Sequence, residues 1–346
     1  ENRVGLTPAA AREATARGHT ALVQRGAGTG AGFADADYEA AGAHLVETAE
    51  EVFAEADMVM KVKEPLAPER AMLREGQVLF TYLHLAPDPD QTRDLLASGA
   101  TCIAYETVTD AQGGLPLLAP MSEVAGRLAP QMGAWALMQP HGGRGVLPGG
   151  VPGVGPARVL VIGGGVVGTH AARIAAGMGA EVTVLDRSLP RLRHLDETFG
   201  GLFRTGYSSA DRLAEHLTEA DMVIGAVLIP GATAPRLVSR ADLASMKPGA
   251  VLVDVAIDQG GCFETSRATT HADPVFGVDG IQHYCVANMP GAVPRTATLA
   301  LSNATLPHLL ALADKGWRQA CADDPNLLAG QAARPHEHAP DRKSHV

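Results

Sequence analysis

Aromatic residues are scarce: Phe, Trp and Tyr make up 4% of a chain of 346 residues that is 46% hydrophobic. The cores must therefore be mostly aliphatic, with many alanines and glycines. Cysteine is scarce as well. Cys102, Cys262, Cys285 and Cys321 form no C-x-x-C pair, and in a chain this long they read as buried thiols in a reducing, cytoplasmic compartment. Positive charge is in deficit, with 28 Lys and Arg against 38 Asp and Glu and a formal net charge of −10. That balance disfavours nucleic acid and anionic membrane as partners, and a small anionic substrate would need a locally basic pocket. No signal peptide is visible, and no apolar run is long enough to span a bilayer. The chain also lacks an initial methionine. It opens on Glu1-Asn-Arg-Val-Gly-Leu-Thr-Pro8, which reads like the exit of a strand that is not present, so the natural start is expected upstream.

What is present is strongly patterned. The central stretch is Arg158-Val-Leu-Val-Ile-Gly-Gly-Gly-Val-Val-Gly168. An apolar run meets glycines at the G-x-G-x-x-G spacing, Gly163, Gly165 and Gly168. A helical rhythm follows over Thr169 to Met178. Glu181 to Asp186 then reads as a second buried strand ending in an acid. Strand, glycine turn, helix, strand and acid in this order predict a dinucleotide-binding unit. The first glycine allows the turn, the second lets backbone approach a pyrophosphate, and the third lets helix and strand pack closely. The phosphates would meet the N–H groups of the helix N-terminus. Asp186 is placed to bind both ribose hydroxyls and so favours NAD over NADP, while Arg187 reads either as a phosphate acceptor or as an exposed surface residue.

Strand and helix alternate along the rest of the chain, which predicts mostly parallel α/β sheets. Strands are expected at residues 18–24, 44–46, 57–63, 76–82, 101–105, 221–229 and 250–257. Thr7-Pro8, Thr48 and the run from Asp88 mark helix starts. A longer helix over Ser122 to Met138 suits a connector, and the Gly- and Pro-rich residues 142–156 read as a linker or a fixed functional loop. Thr296 to Leu312 is helical, with Pro307 expected to kink it or start a second helix.

Several residues fall where open α/β sheets bind ligands, at the C-terminal ends of strands. Alternation puts Lys61 and Lys63 on one face at a strand end; a solvated strand end is the other reading. His84 follows the strand ending at Tyr82, where an imidazole could relay a proton or simply be a satisfied, partly buried histidine. Asp258 follows the strand to Ile257 and precedes a glycine turn, aimed at the crevice or serving as an Asx turn. Asp254, within that strand, suits a buried structural role. Arg3 could hold a carboxylate by a bidentate pair or lie on the surface. His336-Glu-His338 sits in a polar tail with no cysteine nearby and is set aside as a metal site.

Taken together, the motifs resemble the alanine dehydrogenase family, within the wider alanine dehydrogenase/transhydrogenase group. The resemblance runs from Glu1 to about Asn326. It is carried by Glu1 to Pro8, Lys61-Val-Lys-Glu-Pro65, Tyr82-Leu-His-Leu-Ala86, Met121 to Arg127, Gly142-Gly-Arg-Gly-Val146, Asp254 to Gly261 and Val286-Ala-Asn-Met-Pro290. It implies NAD-dependent, reversible conversion of L-alanine and water to pyruvate and ammonium, by a homohexamer. By motif, Arg3 and Lys63 would hold the substrate carboxylate, and His84 and Asp258 would be the acid/base pair. Ser122, Asp186, Arg191, Ser208, Val227, Leu228, Asp258, Asn288 and Met289 would line the cofactor site with the three glycines. It also implies a substrate domain from residues 1–122 and 295–330 and a Rossmann NAD domain at 123–294; the polar, proline-containing end of the chain, 331–346, reads by composition as a disordered tail. Two departures stand out. The family's first strand is missing before Glu1, so Arg3 would hang from an unsupported end, and the pattern is lost after about Leu328. A different class of protein shares the nucleotide unit and the opening motif, the NAD-binding component of a proton-translocating transhydrogenase. Such a docking module has no need of Lys63 or His84. An inactive NAD-binding relative is a third reading, disfavoured because all four chemical positions are filled.

Overall fold

The computed structural model describes residues 1–227 and 234–333. Leu228 and the His336-Glu-His338 run lie outside the described residues. Two compact units are present: Glu1–Pro120 together with the stretch from Val293, and Met121–Ala292.

The first unit begins with α1 (Pro8–Ala16), started by the Thr7 hydroxyl, which accepts the Ala10 N–H at 3.2 Å, and by Pro8, whose fixed φ suits the first helical position. β1 (Leu22–Gln24) and β2 (His44–Val46) pair in parallel across α2 (Asp35–Ala40). Thr48 and Glu51 form a reciprocal cap on α3 (Ala49–Glu55). β3 (Met58–Met60), α4 (Ala67–Met72), β4 (Val78–Thr81), α5 (Pro89–Ser98) and β5 (Thr101–Ala104) follow, and the three strands run parallel. Leu79, Leu83, Leu95 and Cys102 are fully buried in the aliphatic core against them.

One expectation fails here. The strand predicted to run to Lys63 stops at Met60, and the chain bends at Val62 and Lys63. Pro65, which lacks an N–H, cannot extend a ladder. Lys61 and Lys63 therefore do not share a strand face: Lys61 pairs with Glu69 on α4, and Lys63 with Glu64.

The second unit is entered through α6 (Ala119–Ala136). It then runs β6 (Arg158–Ile162), α7 (Val166–Gly177), β7 (Glu181–Asp186), α8 (Leu189–Phe199), β8 (Arg204–Tyr207), α9 (Ala210–Glu219), β9 (Met222–Gly225), β10 (Val251–Asp254), β11 (Val275–Val278) and β12 (Ile281–Tyr284). The strand order is β8-β7-β6-β9-β10-β12-β11, parallel throughout except for the antiparallel edge strand β11. This is the doubly wound order of a Rossmann-type sheet, whose direction of winding reverses between β6 and β9. Period-two alternation supplies both faces: Val159, Val161, Val182 and Val184 enter one core, and Leu160, Ile162, Leu185 and Leu252 the other. Strands buried on both sides must be apolar at every position, which explains their unbroken apolar runs.

The chain then returns to the first unit with α10 (Pro294–Asp323), α11 (Pro325–Ala329) and β13 (Gln331–Ala333). No second helix starts at Pro307: it lies inside α10, whose only non-helical interior residue is Gly316 (φ 73°, ψ 156°). A proline removes one hydrogen bond, which tertiary packing of Leu301, Thr305, Leu309 and Leu310 offsets. Gly316 instead adopts a conformation reserved for glycine. Gln331–Ala333, expected at the start of a structureless tail, pair antiparallel with β5 and complete the sheet β13-β5-β4-β3.

Candidate functional site

In the first unit, the ends of β3, β4 and β5 bring three expected or overlooked groups together. His84 lies just beyond β4 with φ 45°, a left-handed backbone that a histidine adopts only under constraint. Glu106, just beyond β5, supplies the constraint. Its carboxylate accepts the N–H of Leu83 at 3.1 Å and of His84 at 2.6 Å. Below the ring, Tyr82 stacks at 5.7 Å with an interplanar angle of 23°. Beside it, Glu64 Oε1 lies 2.5 Å from His84 Nδ1. Burial alone would raise the Glu64 pKa and lower that of His84. The hydrogen bond between them reverses both: Glu64, also facing Lys63, is held down at about 2. His84, facing the charges of Glu106 and Glu64, is raised above its ordinary value. Lys63 Nζ sits 3.4 Å from both Glu64 oxygens, and its carbonyl accepts the Thr81 hydroxyl at 3.0 Å.

Arg3 does not hang from an unsupported end. It is 6% exposed, its Nε and Nη2 donate to the Glu1 carboxylate at 2.9 and 2.7 Å, and the next residue, Val4, donates its N–H to Thr298 Oγ1 of α10. The Glu1 carboxylate shows what the guanidinium fork accepts, a planar bidentate anion.

In the second unit, the three glycines are required for three different reasons. Gly163 has φ 101°, closed to other residues. A Cβ on Gly168 would stand 1.8 Å from the Gly163 carbonyl oxygen, so helix and strand touch there. A Cβ on Gly165 would meet no atom within 4 Å, and no side chain caps α7, which starts at the next residue. An uncapped helix N-terminus opening on free space fits a pyrophosphate. Asp186, ending β7, accepts the N–H of Gly164 at 2.6 Å and of Ser188 at 2.7 Å. A carboxylate offers about four acceptor sites, so two remain for ribose hydroxyls. Arg191 Nε donates to the Gly164 carbonyl at 2.5 Å and Nη2 to Thr169 Oγ1 at 2.7 Å, so it braces the turn. The Ser208 N–H donates to the Asp186 carbonyl at 2.9 Å. Val227 Cγ2 lies 3.0 Å from where a Gly163 Cβ would stand. Arg187 is exposed, and Ser122, on α6, is half-buried.

Asp258 is not at a strand end as expected. β10 stops at Asp254, and Asp258 is exposed on a following helical turn, Ile257–Gln259. That turn is held by Asp254. Fully buried, Asp254 accepts the N–H groups of Ala256, Cys262 and Phe263 and the Ser266 hydroxyl. Asp258 Oδ2 in turn accepts the N–H of Asn288 at 3.3 Å, and Asn288 has φ 55°. Met289, next in sequence, is buried. The described residues contain no cluster of His, Cys, Asp and Glu able to hold a metal ion.

Sequence reasoning missed Glu64 and Glu106. Glu106 carried a readable signal, since it follows β5 as His84 follows β4. Glu64 stood beside Lys63 in a motif already singled out.

Comparison with known proteins agrees with this layout. The family model described as Alanine dehydrogenase/PNT, N-terminal domain, matches residues 1–125, and that for the C-terminal domain matches residues 129–338. The alanine dehydrogenase of Halomonas elongata is 62% identical over 330 residues, covering 95% of this chain and 89% of that protein. A solved L-alanine dehydrogenase is similar with a TM-score of 0.94 and 49% identity, over 97% of this chain and 93% of the other. A solved transhydrogenase from Sinorhizobium meliloti gives a TM-score of 0.85 at 26% identity, over 96% and 95%. With both family models matched along nearly its whole length, the chain belongs to the alanine dehydrogenase/PNT family.

Proposed function

We propose that the chain catalyses the NAD-dependent oxidative deamination of L-alanine, in which L-alanine, NAD and water give pyruvate, ammonium, NADH and a proton, reversibly. The observation that carries this reading is the group Lys63, Glu64 and His84 at the sheet edge of the first unit. A module that only docks and passes hydride needs no such group. When bound, NAD supplies the acceptor for the α-hydrogen of alanine. The three glycines, Asp186 and the N-terminus of α7 would hold it, with Ser122, Arg191, Ser208, Val227, Asn288 and Met289 around it; Leu228 belongs to the same proposal. Arg3 and Lys63 would hold the alanine carboxylate by charge and by the guanidinium fork, which fixes the α-carbon in place. His84 and Asp258 are the proposed proton carriers. Nitrogen must lose a proton as the imine forms, water must lose one as it adds, and ammonia must gain one as it leaves. A histidine whose pKa is set by neighbours suits groups that both take and return protons.

The test is an amino-acid panel with NAD and NADP, read by NADH absorbance at alkaline pH. Turnover with L-alanine and NAD, and none with L-lactate or L-glutamate, is expected. His84→Ala should lose turnover and keep its NAD affinity. A folded sample that binds NAD and makes no NADH from alanine would sink the proposal and favour the transhydrogenase component. The family resemblance supports two further parts of the reading, assembly as a homohexamer and a cytoplasmic location. Sedimentation tests the first and cell fractionation the second. No helix among the described residues is long and apolar enough to cross a membrane.

A further inference from the structure

We propose that Glu64 is the positioning residue for His84, its carboxylate fixing the imidazole through Nδ1 so that Nε2 is the atom that takes and returns the proton. The inference rests on the reading of His84 as a proton carrier in alanine oxidation. It starts from the 2.5 Å separation of Glu64 Oε1 and His84 Nδ1. An ionised carboxylate can only accept, and Glu64 is held ionised down to about pH 2. Nδ1 must therefore carry hydrogen in every state of the ring, and the lone pair of neutral His84 lies on Nε2. The other nitrogen of a histidine is set in this way by the partner of the first.

Three further features make the arrangement rigid. Pro65 restricts the backbone of Glu64 to extended conformations, so the carboxylate is presented from a stiff dipeptide. Glu106 anchors the backbone of His84, and Tyr82 covers one ring face. Lys63 Nζ sits 3.4 Å from each Glu64 oxygen. One carboxylate thus ties the proposed substrate clamp to the proposed proton carrier. The charged and titratable groups facing the ring are Glu64, Glu106, Lys63 and Tyr82. Of these, Glu64 alone meets a ring nitrogen within hydrogen-bond distance among the described contacts.

Two substitutions in the full chain separate charge from orientation. Glu64→Gln keeps an acceptor for Nδ1–H and removes the charge. Its His84 titration, followed by ring-proton NMR without cofactor, should move down by about one pH unit. The acid limb of kcat/KM for L-alanine should move with it, while the plateau kcat falls less than about tenfold. Glu64→Ala removes the acceptor too, and its plateau kcat should fall by at least another order of magnitude, roughly, because the ring is no longer held. Glu64→Asp should return part of the pH profile. Unchanged NAD affinity and circular dichroism in each variant exclude misfolding. Wild-type protein inactive on alanine overturns the functional reading before any variant is made. An active wild type whose Glu64→Gln variant keeps both the His84 titration and the pH profile overturns the role of Glu64 alone.

Discussion

Exchanging Gly165 and Gly168 separately for alanine should give opposite failures. At Gly168 the new methyl would stand 1.8 Å from a backbone carbonyl oxygen, and the neighbour after it is another backbone atom of Gly163 at 2.9 Å. Relief to an ordinary contact needs a shift of about 1.6 Å between α7 and the turn after β6, and a packed core resists such shifts. Overpacking costs about 1–3 kcal/mol where side chains yield, and here the obstacle is backbone, so about 3 kcal/mol is the expected loss. At about 2–4 °C per kcal/mol for a unit of this size, Tm should fall by about 6–12 °C. At Gly165 the methyl meets nothing within 4 Å, and the backbone (φ −66°, ψ −162°) is open to alanine. Its Tm without cofactor should stay within about 2 °C of wild type, since surface changes fall within about 0.5 kcal/mol. NAD affinity should nonetheless fall by at least tenfold, roughly, as the methyl occupies space reserved for the pyrophosphate. Thermal denaturation and fluorescence titration with NAD read the two effects. A Gly165→Ala protein that binds NAD like wild type, or a Gly168→Ala protein as stable as wild type, would refute the assignment of roles.

Three other outcomes are expected. Asp186→Asn should weaken NAD more than NADP in paired titrations, and should cost about 1 kcal/mol in urea unfolding because its carboxylate also holds Gly164 and Ser188; an unchanged preference would place the acid away from the ribose. The Glu64–His84 pair should stabilise only within a pH window. Glu64, lowered from 4.5 to about 2, contributes fully above pH 4.5 and loses that contribution as pH falls towards about 2. His84, raised from 6.5, contributes fully below pH 6.5 and loses it as pH rises through the folded value. The difference in urea midpoint between wild type and Glu64→Gln should thus peak between those limits, and a difference independent of pH would contradict the pairing. Gly316→Ala should cost about 1–3 kcal/mol through backbone strain alone, as its methyl would touch nothing; a stabilised variant in calorimetry would show that α10 prefers to continue through that point.

Much of this protein is readable in its sequence, because the deciding signals are local. Thr48 with Glu51, and Thr7 with Pro8, announce helix starts through bonds made within four residues. The central strands β6, β9 and β10 are apolar on both faces, and the glycine spacing has a geometric reason at each position. What stayed hidden depends on contacts far apart in sequence. Glu106 meets the backbone of His84 across 22 residues, and Glu64 meets its ring across 20. Pro307 starts no second helix, because packing offsets the local penalty. Strand ends were overestimated at Lys63 and Ile257, since apolar residues continue past the last ladder bond. Both errors moved a proposed site residue from a strand to a bend or turn.

The hydrogen bonds from Val4 to Thr298 and between Thr7 and Ser302 join residues 294 and 295 positions apart. On a ribosome, the residues of the second unit all emerge before the helix that Val4 and Thr7 require. A chain under synthesis can thus complete its dinucleotide sheet while Arg3 still lacks its support on α10. Assembly of the first unit must wait until the stretch from Val293 has been made. A polypeptide truncated before Thr298 would be expected to keep the second unit's sheet while Val4 and Thr7 lose their partners on α10.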